Sequence, residues 1–415
     1  MNFEEELQIY ADLIVKHGAN VQYGQDVYIA GELIHRDFIQ LIVESAYEAG
    51  ARVVTVDFLD HQHLRTRLLA SKSDEFLSYI PAYVPFKAEN LIPEKAASIR
   101  ILGSEDPDSL SDMDPEKLNQ YMLSFRKSLK KFYDEGIGHS KVQWTIAAAA
   151  TPKWAEKVFP ELNEAEAYEM LWKEILKMCR ADQPDCLKLW KAHNDILHKR
   201  AKKLTKMKIN SLHFKGPGTD LVVGLSSKAI FMGGGSMGPR GVEFEPNLPT
   251  EEVFTTPDCH KTEGHVQTTR PFLINGKMIR GLKLEFKNGE IVKFEADEGT
   301  ETFKEYINSD AGANKLGEVA LVGVDSPIYQ SGRIYEEILF DENAACHIAV
   351  GFAYHFCIEG SADMSIDELH EVGCNNSHVH TDMMISSEEV NVMGVLSSGE
   401  EVQLINKGQW VDEFR

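Results

Sequence analysis

The segment Asn375 to Ile385, "NNSHVHTDMMI", carries His378, His380 and Asp382 at alternate positions. On an extended strand, alternate side chains share one face. Imidazoles and a carboxylate on one face suit a divalent metal, and they equally suit a plain His–Asp hydrogen bond. Parity alone makes the three residues equivalent.

Three other segments could supply partners. "NLPTEEVFTTP" holds Glu251 and Glu252 between Pro249 and Pro257. Adjacent residues of an extended segment face opposite ways, so at most one lines a given site. Both also read as solvated glutamates. In "LGEVALVG", Glu318 interrupts an apolar run. A carboxylate buried there is costly unless paired or bound to metal, whereas exposure at a strand end removes the problem. In "DENAACHIAVGFAYHF", His347 and Tyr354 are seven apart, on one face of a helix but on opposite faces of a regular strand. Gly351 and Ala353 could host a bulge or turn that changes this. His347, beside Cys346, also reads as a packed core histidine.

Together these groups offer three carboxylates and two imidazoles. A mixed oxygen and nitrogen set fits Zn, Co or Mn better than Ca. Two ions sharing a carboxylate about 3.5–4 Å apart can clamp a carbonyl and activate water. Competing motifs are weak. No G-x-S-x-G elbow supports a Ser-His-Asp triad. The run "FMGGGSMGPRG" lacks the Gly-Lys-Ser/Thr ending of a phosphate loop and reads as a connector or a flexible loop over the site.

The elements that must position these residues change character along the chain. "DVYIAG", the amphipathic "RDFIQLIVESAYEAGA" and the buried-looking "RVVTVDF" form a β-α-β unit, so a parallel sheet is expected. "SIRILG" and "VQWTIAAA" read as further strands, and no G-x-G-x-x-G follows the first one. Residues from "TPKWAEKVFP" to about Lys206 read as helix. Beyond that, short strands dominate, and Asn-Gly pairs at 275–276 and 288–289 mark two hairpins. The expected architecture is α/β: an N-terminal α/β domain with a parallel sheet, residues 1–207, and a β-rich α+β domain, residues 208–415.

The formal charge of −22 argues against nucleic-acid binding. The basic clusters "RKSLKK" and "KRAKKLTKMK" read as solvated helix faces. None of the six cysteines forms C-x-x-C, so a zinc ribbon is not expected. No apolar run has the length of a membrane span. "MNFEEELQIY" is acidic and amphipathic, unlike a signal peptide. A cytoplasmic protein with reduced thiols is the expectation.

Seven pieces in order, "YADLIVKHGANVQYGQDV", "TPKWAEKVFP", "GPGTDLVVGL", "NLPTEEVFTTP", "LGEVALV", "ENAACHIAVGFAY" and "NNSHVHTD", make the chain resemble the thermophilic-type metallo-aminopeptidases. The resemblance covers nearly the whole length. It implies an exopeptidase with two divalent metal ions (Zn, Co, Mn or Mg) acting on peptides with a free N-terminus, and a homodimer. It carries metal-ligand roles to Glu252, Glu318, His347, His380 and Asp382. It also maps a site tyrosine onto Tyr354; on a two-metal mechanism Tyr354 would then donate to the oxyanion or touch a metal, and Glu318 would double as general base. His378 falls on a variable position. After Asp382 the family pattern has an aromatic residue and then Met-Ile-Gly. Met383 and Ser386 depart from it, which bears on the specificity pocket. A different dinuclear amidohydrolase or dipeptidase, or a metal-binding protein without activity, would use the same ligand set.

Overall fold

Asn2 accepts a hydrogen bond from the Glu5 N–H, and the Glu5 carboxylate returns one to the Asn2 N–H. This capping box, with Glu4, Glu5 and Glu6 at the positive end, starts the first helix, Phe3–Leu13. The helix then widens into a π turn, Ile14–Gly18. Gly18 is required there, because a Cβ would lie 2.8 Å from Thr145 Oγ1. Tyr10, fully buried, donates its hydroxyl to the Ala148 carbonyl at 2.9 Å and so docks the helix on a strand end.

That strand belongs to a four-stranded sheet. Its members are β1 (Asp26–Glu32), β2 (Val53–Leu59), β3 (Ala97–Leu102) and β4 (Gln143–Ala148), in the order β2-β1-β3-β4. All three pairings are parallel, as a β-α-β start demands. One expectation is corrected: β2 is not a buried strand. It is the sheet edge, and Val53, Phe58 and Leu59 are 43%, 43% and 41% exposed. An apolar run does not distinguish a central strand from an edge. The helical stretch that follows breaks into Pro152–Val158, Glu164–Met178 and Cys186–Met207.

These elements are seen in a computed structural model that describes residues 1–415. The chain divides into two units, Met1–His193 with Gly235–Thr250, and Asn194–Gly234 with Glu251–Arg415. The parallel sheet lies in the first. The second is β-rich, and the two together make the mixed α/β class read from the sequence.

An eight-stranded sheet dominates the second unit, running from Glu290–Glu295 at one edge to Gln409–Trp410 at the other. Both Asn-Gly pairs turn hairpins, with φ of 50° and 76° at 275–276 and 51° and 83° at 288–289. Two successive left-handed residues match the twist of the strands they join. The basic cluster Lys199–Lys208 is not wholly solvated. Arg200 donates to the Phe414 carbonyl at 2.7 Å and stacks 4.4 Å over the Trp410 ring. A second, smaller sheet has the order His380–Met384, His347–Gly351, Leu316–Leu321, Val253–Thr255. Every pairing is antiparallel, and every residue of the two middle strands is buried.

Candidate metal centre

Register in the smaller sheet decides which side chains meet. Glu318 pairs with Ala349, which pairs with Asp382. Phe254 pairs with Ala320, which pairs with His347. His380 pairs with Gly351. Directly paired residues, and residues two apart, share a face. Glu318, His347, His380 and Asp382 therefore stand on one face, with only Ala320, Ala349 and Gly351 between them. Glu252 is two residues before Phe254 and joins the same face. Glu251 faces away, and its N–H donates to Asn343 Oδ1 at 2.7 Å.

A bulge makes this alignment possible. Leu316 pairs with Val350, but Glu318 pairs with Ala349, so Gly317 is the extra residue. Only glycine fits, since a Cβ would lie 2.2 Å from the Phe352 carbonyl oxygen. Gly351, at φ 98°, ends the neighbouring strand where a Cβ would meet the Val379 carbonyl oxygen at 2.0 Å. The open question about His347 and Tyr354 is thereby answered. His347 is on a strand, the chain turns at Gly351, and Tyr354 lies beyond it with its ring 5.5 Å from that of His380.

Two groups of donors result, Glu252–Glu318–His347 and Glu318–His380–Asp382, each with ligand atoms within 4.8 Å of one another. His347 Nε2 lies 3.0 Å from Glu252 Oε2, 3.9 Å from Glu318 Oε1 and 4.0 Å from Asp382 Oδ1. His380 Nε2 lies 3.6 Å from both Glu318 Oε2 and Asp382 Oδ1. Glu252, Glu318, His347 and Asp382 are buried, while His380 and Tyr354 are half-buried and mark the open side.

The donor set fits divalent cations on two observations. Both imidazoles are pinned through Nδ1 to backbone carbonyls, His347 to Ala345 at 3.1 Å and His380 to Phe352 at 2.8 Å. That fixes the tautomer and aims Nε2 at the carboxylates, the usual arrangement of a ligating histidine. Glu252 Oε2, in turn, is buried facing His347 Nε2, which is an acceptor in that tautomer, so no hydrogen bond joins the two. A buried carboxylate oxygen left in that state is costly, and a cation removes the cost.

Electrostatics point the same way. Burial, then Glu252 and Asp382, push the Glu318 carboxyl well above its ordinary range. Burial works against charge on Asp382, but His380 and His347 outweigh it and hold that carboxyl low. For His347, burial disfavours the charged ring, yet Glu252 overcomes this and raises its proton affinity. The negative field that favours a proton on Nε2 also favours a metal cation there.

Tyr354 stands in an aromatic group, stacked on Phe356 at 5.2 Å and edge-on to Phe352 and Phe254. Burial and the carboxylates of Glu318, Asp382, Glu342 and Glu252 push its hydroxyl far above the ordinary range, so it remains a donor. Glu342 escaped the sequence reading. It is buried and hydrogen-bonds Asp382, and burial, then Asp382, Glu252 and Glu318, push its carboxyl well above the ordinary range. The signal was present as a second acid in the apolar run "ILFDENAACHIAV".

His378 joins neither donor group. It sits in a bend before the strand, and its N–H donates to Asp310 Oδ2 at 2.7 Å. Met383 has the opposite parity to Asp382 and faces away from the donors. Ser386, 1% exposed, accepts the Cys346 N–H at 2.8 Å beside His347. Of the glycine-rich run, Met232 pairs by two backbone hydrogen bonds with Phe254, which orders its beginning alongside Glu252 and Val253.

A carboxylate–imidazole donor set gathered on one face of a buried sheet suits a metal-dependent enzyme, and comparisons with known proteins specify the class. The model of the thermophilic metalloprotease family (M29) matches residues 3–410. Aminopeptidase PepS of Streptococcus thermophilus is 39% identical over 411 residues, and aminopeptidase T of Thermus aquaticus 39% over 409, with 99% of each chain covered in both cases. The solved structure of wild-type AmpT from Thermus thermophilus superposes with a TM-score of 0.90 at 38% identity, covering 99% of this chain and 100% of that one. The chain belongs to the thermophilic metalloprotease family M29. By class it is a metallo-aminopeptidase, a hydrolase of peptide bonds.

Proposed function

We propose that this aminopeptidase holds two divalent cations (Zn, Co, Mn or Mg) through Glu252, Glu318, His347, His380 and Asp382, and removes residues from the free N-terminus of peptides. The observation that carries this reading is the position of Glu318, which belongs to both donor groups. Glu252 and His347 complete one group, and His380 and Asp382 complete the other. When bound, two such ions supply Lewis-acid polarisation of the scissile carbonyl and lower the pKa of a water.

The chain's own residues do the rest. Glu318, central on the face, takes the proton of the attacking water and passes it to the leaving amine. Tyr354, kept protonated, donates to the oxygen on which charge develops. The His347 and His380 rings are held by the Ala345 and Phe352 carbonyls and lose little freedom when loaded. In this reading, residues 208–415 form the catalytic domain and residues 1–207 a separate α/β domain. A homodimer in the cytoplasm completes it. The six cysteines, free and buried, accord with a reducing compartment, and sedimentation of the purified chain tests the dimer.

The deciding experiment uses aminoacyl-nitroanilides and their N-acetylated analogues, with metal content measured on the same sample. Turnover of the free-amine series alone, with two ions per chain, is expected. Equal turnover of the acetylated series would overturn the aminopeptidase reading, and one ion per chain would overturn the dinuclear one.

A further inference from the structure

A second set of metal-binding atoms shares no residue with the Glu318 centre. Cys259 Sγ, a ring nitrogen of His260 and a ring nitrogen of His370 lie within 4.8 Å of one another. The two imidazole rings are 5.3 Å apart and nearly perpendicular, at 76°. On a regular strand Cys259 and His260 would face opposite ways. Here the strand Pro257–Gln267 breaks register with Thr219–Leu225 between Pro257 and Thr262, and the two residues sit in that irregularity. The Asn288-Gly289 turn packs directly on them. A Cβ on Gly289 would lie 2.0 Å from the Cys259 carbonyl oxygen and 2.7 Å from His260 Cα.

His370 arrives from the end of a short helix, Ile366–Glu371, whose start is capped by Ser365 and Glu368. The backbone ties the two sides together. The Cys259 N–H donates to the Gly373 carbonyl, and the Gly373 N–H donates to the His370 carbonyl, both at 2.9 Å. Asp258 is buried beside them, accepting the His260 N–H at 3.1 Å and pairing with Lys261 at 2.8 Å. The nearby Lys315 ammonium is 3.4 Å from Glu290. Burial pushes the Cys259 thiol up to about 11, so a bound cation must displace its proton.

We propose that Cys259, His260 and His370 form a separate site for one borderline-soft transition-metal cation. One sulfur and two imidazole nitrogens select ions of the Zn, Co, Ni and Cu group over Mg or Ca. Tetrahedral binding with bonds of about 2.0–2.3 Å needs donors about 3.3–3.8 Å apart. Cys259 is buried and fixed, whereas both imidazoles are exposed and can rotate inward. Three protein donors leave a fourth position for water. The site clips the strand that follows Glu252 to the helix that precedes His380, so it ties together two stretches that carry donors of the other centre.

Cobalt(II) titration of the full-length chain tests this. The Glu318 centre has only oxygen and nitrogen donors, so a thiolate-to-cobalt charge-transfer band in the near ultraviolet reports the new site alone. The band is expected to saturate with one cobalt, to vanish in Cys259→Ser, and to vanish in His370→Ala, an exposed position where folding is preserved and peptidase turnover stays unchanged. Absence of the band at saturating cobalt, or its survival in His370→Ala, would overturn the proposal.

Discussion

Glu318 turns one carboxylate oxygen to each of two imidazoles, Oε1 at 3.9 Å from His347 Nε2 and Oε2 at 3.6 Å from His380 Nε2. A residue shared in this way couples the two halves of the centre. Glu318→Gln removes one negative charge from both, and it is expected to lower total bound metal more than His380→Ala, which touches one half. Loss of activity should be at least about 10³-fold in either variant, the effect of several kcal/mol. Metal analysis of dialysed protein, beside circular dichroism to establish folding, checks both expectations. Equal metal loss in the two variants would contradict the shared role.

His378 lies in the bend just before the strand that His380 opens, and the two differ in role. His378→Ala should keep full metal content, because His378 belongs to neither donor group and the substitution keeps the backbone N–H that binds Asp310. Glu252→Gln, by contrast, should lose about one ion, since Glu252 Oε2 faces His347 at 3.0 Å. Calorimetric titration of the three chains separates these outcomes.

Tyr354→Phe leaves the aromatic packing and removes only the hydroxyl. A drop in kcat of about 10²-fold, with KM and metal content nearly unchanged, is expected of a donor used in the transition state. A change confined to KM would assign the hydroxyl to substrate binding instead.

Asp341 offers a pH signature outside the donor set. It is buried, Tyr335 donates its N–H to it at 3.1 Å, and Arg270 lies 3.6 Å away. Burial outweighs these and pushes its carboxyl up to about 7, from an ordinary 3.8. A group raised on folding contributes stability that is complete below its unfolded value and is lost as pH rises through the folded one. The wild-type chain should therefore lose on the order of 3–4 kcal/mol from this group between pH 4 and pH 8. Asp341→Asn should flatten that part of the profile. Thermal unfolding of both chains across the range measures the difference, and parallel profiles would refute it.

Much of this was legible in the sequence. Alternation and turn chemistry reported the β-α-β start and both Asn-Gly hairpins, because those signals are local. Parity restricted Glu251 and Glu252 to one candidate, but which one shares the donor face depended on the pairing of Phe254 with Ala320, a long-range fact. The exposure of β2 was invisible for the same reason, since edge position is a property of the sheet order. Glu342 was passed over because nothing in its neighbours shows that the chain folds it against Asp382. Tyr354 was ambiguous until Gly351 was seen to turn the strand.

Gly317 makes chain length itself a chemical instruction. Leu316 and Glu318 are both even-numbered, yet the extra residue between them puts them on opposite sides of the sheet. Were the bulge ironed out with every residue kept, Gly317 would pair with Ala349 and Glu318 with Ile348, and Glu318 would swing from the donor face to the far side with its sequence neighbours intact. No ligand would be mutated, and the centre would still be dismantled. For this sheet, a slip of one residue in pairing is a more radical change than most substitutions, because it inverts odd and even.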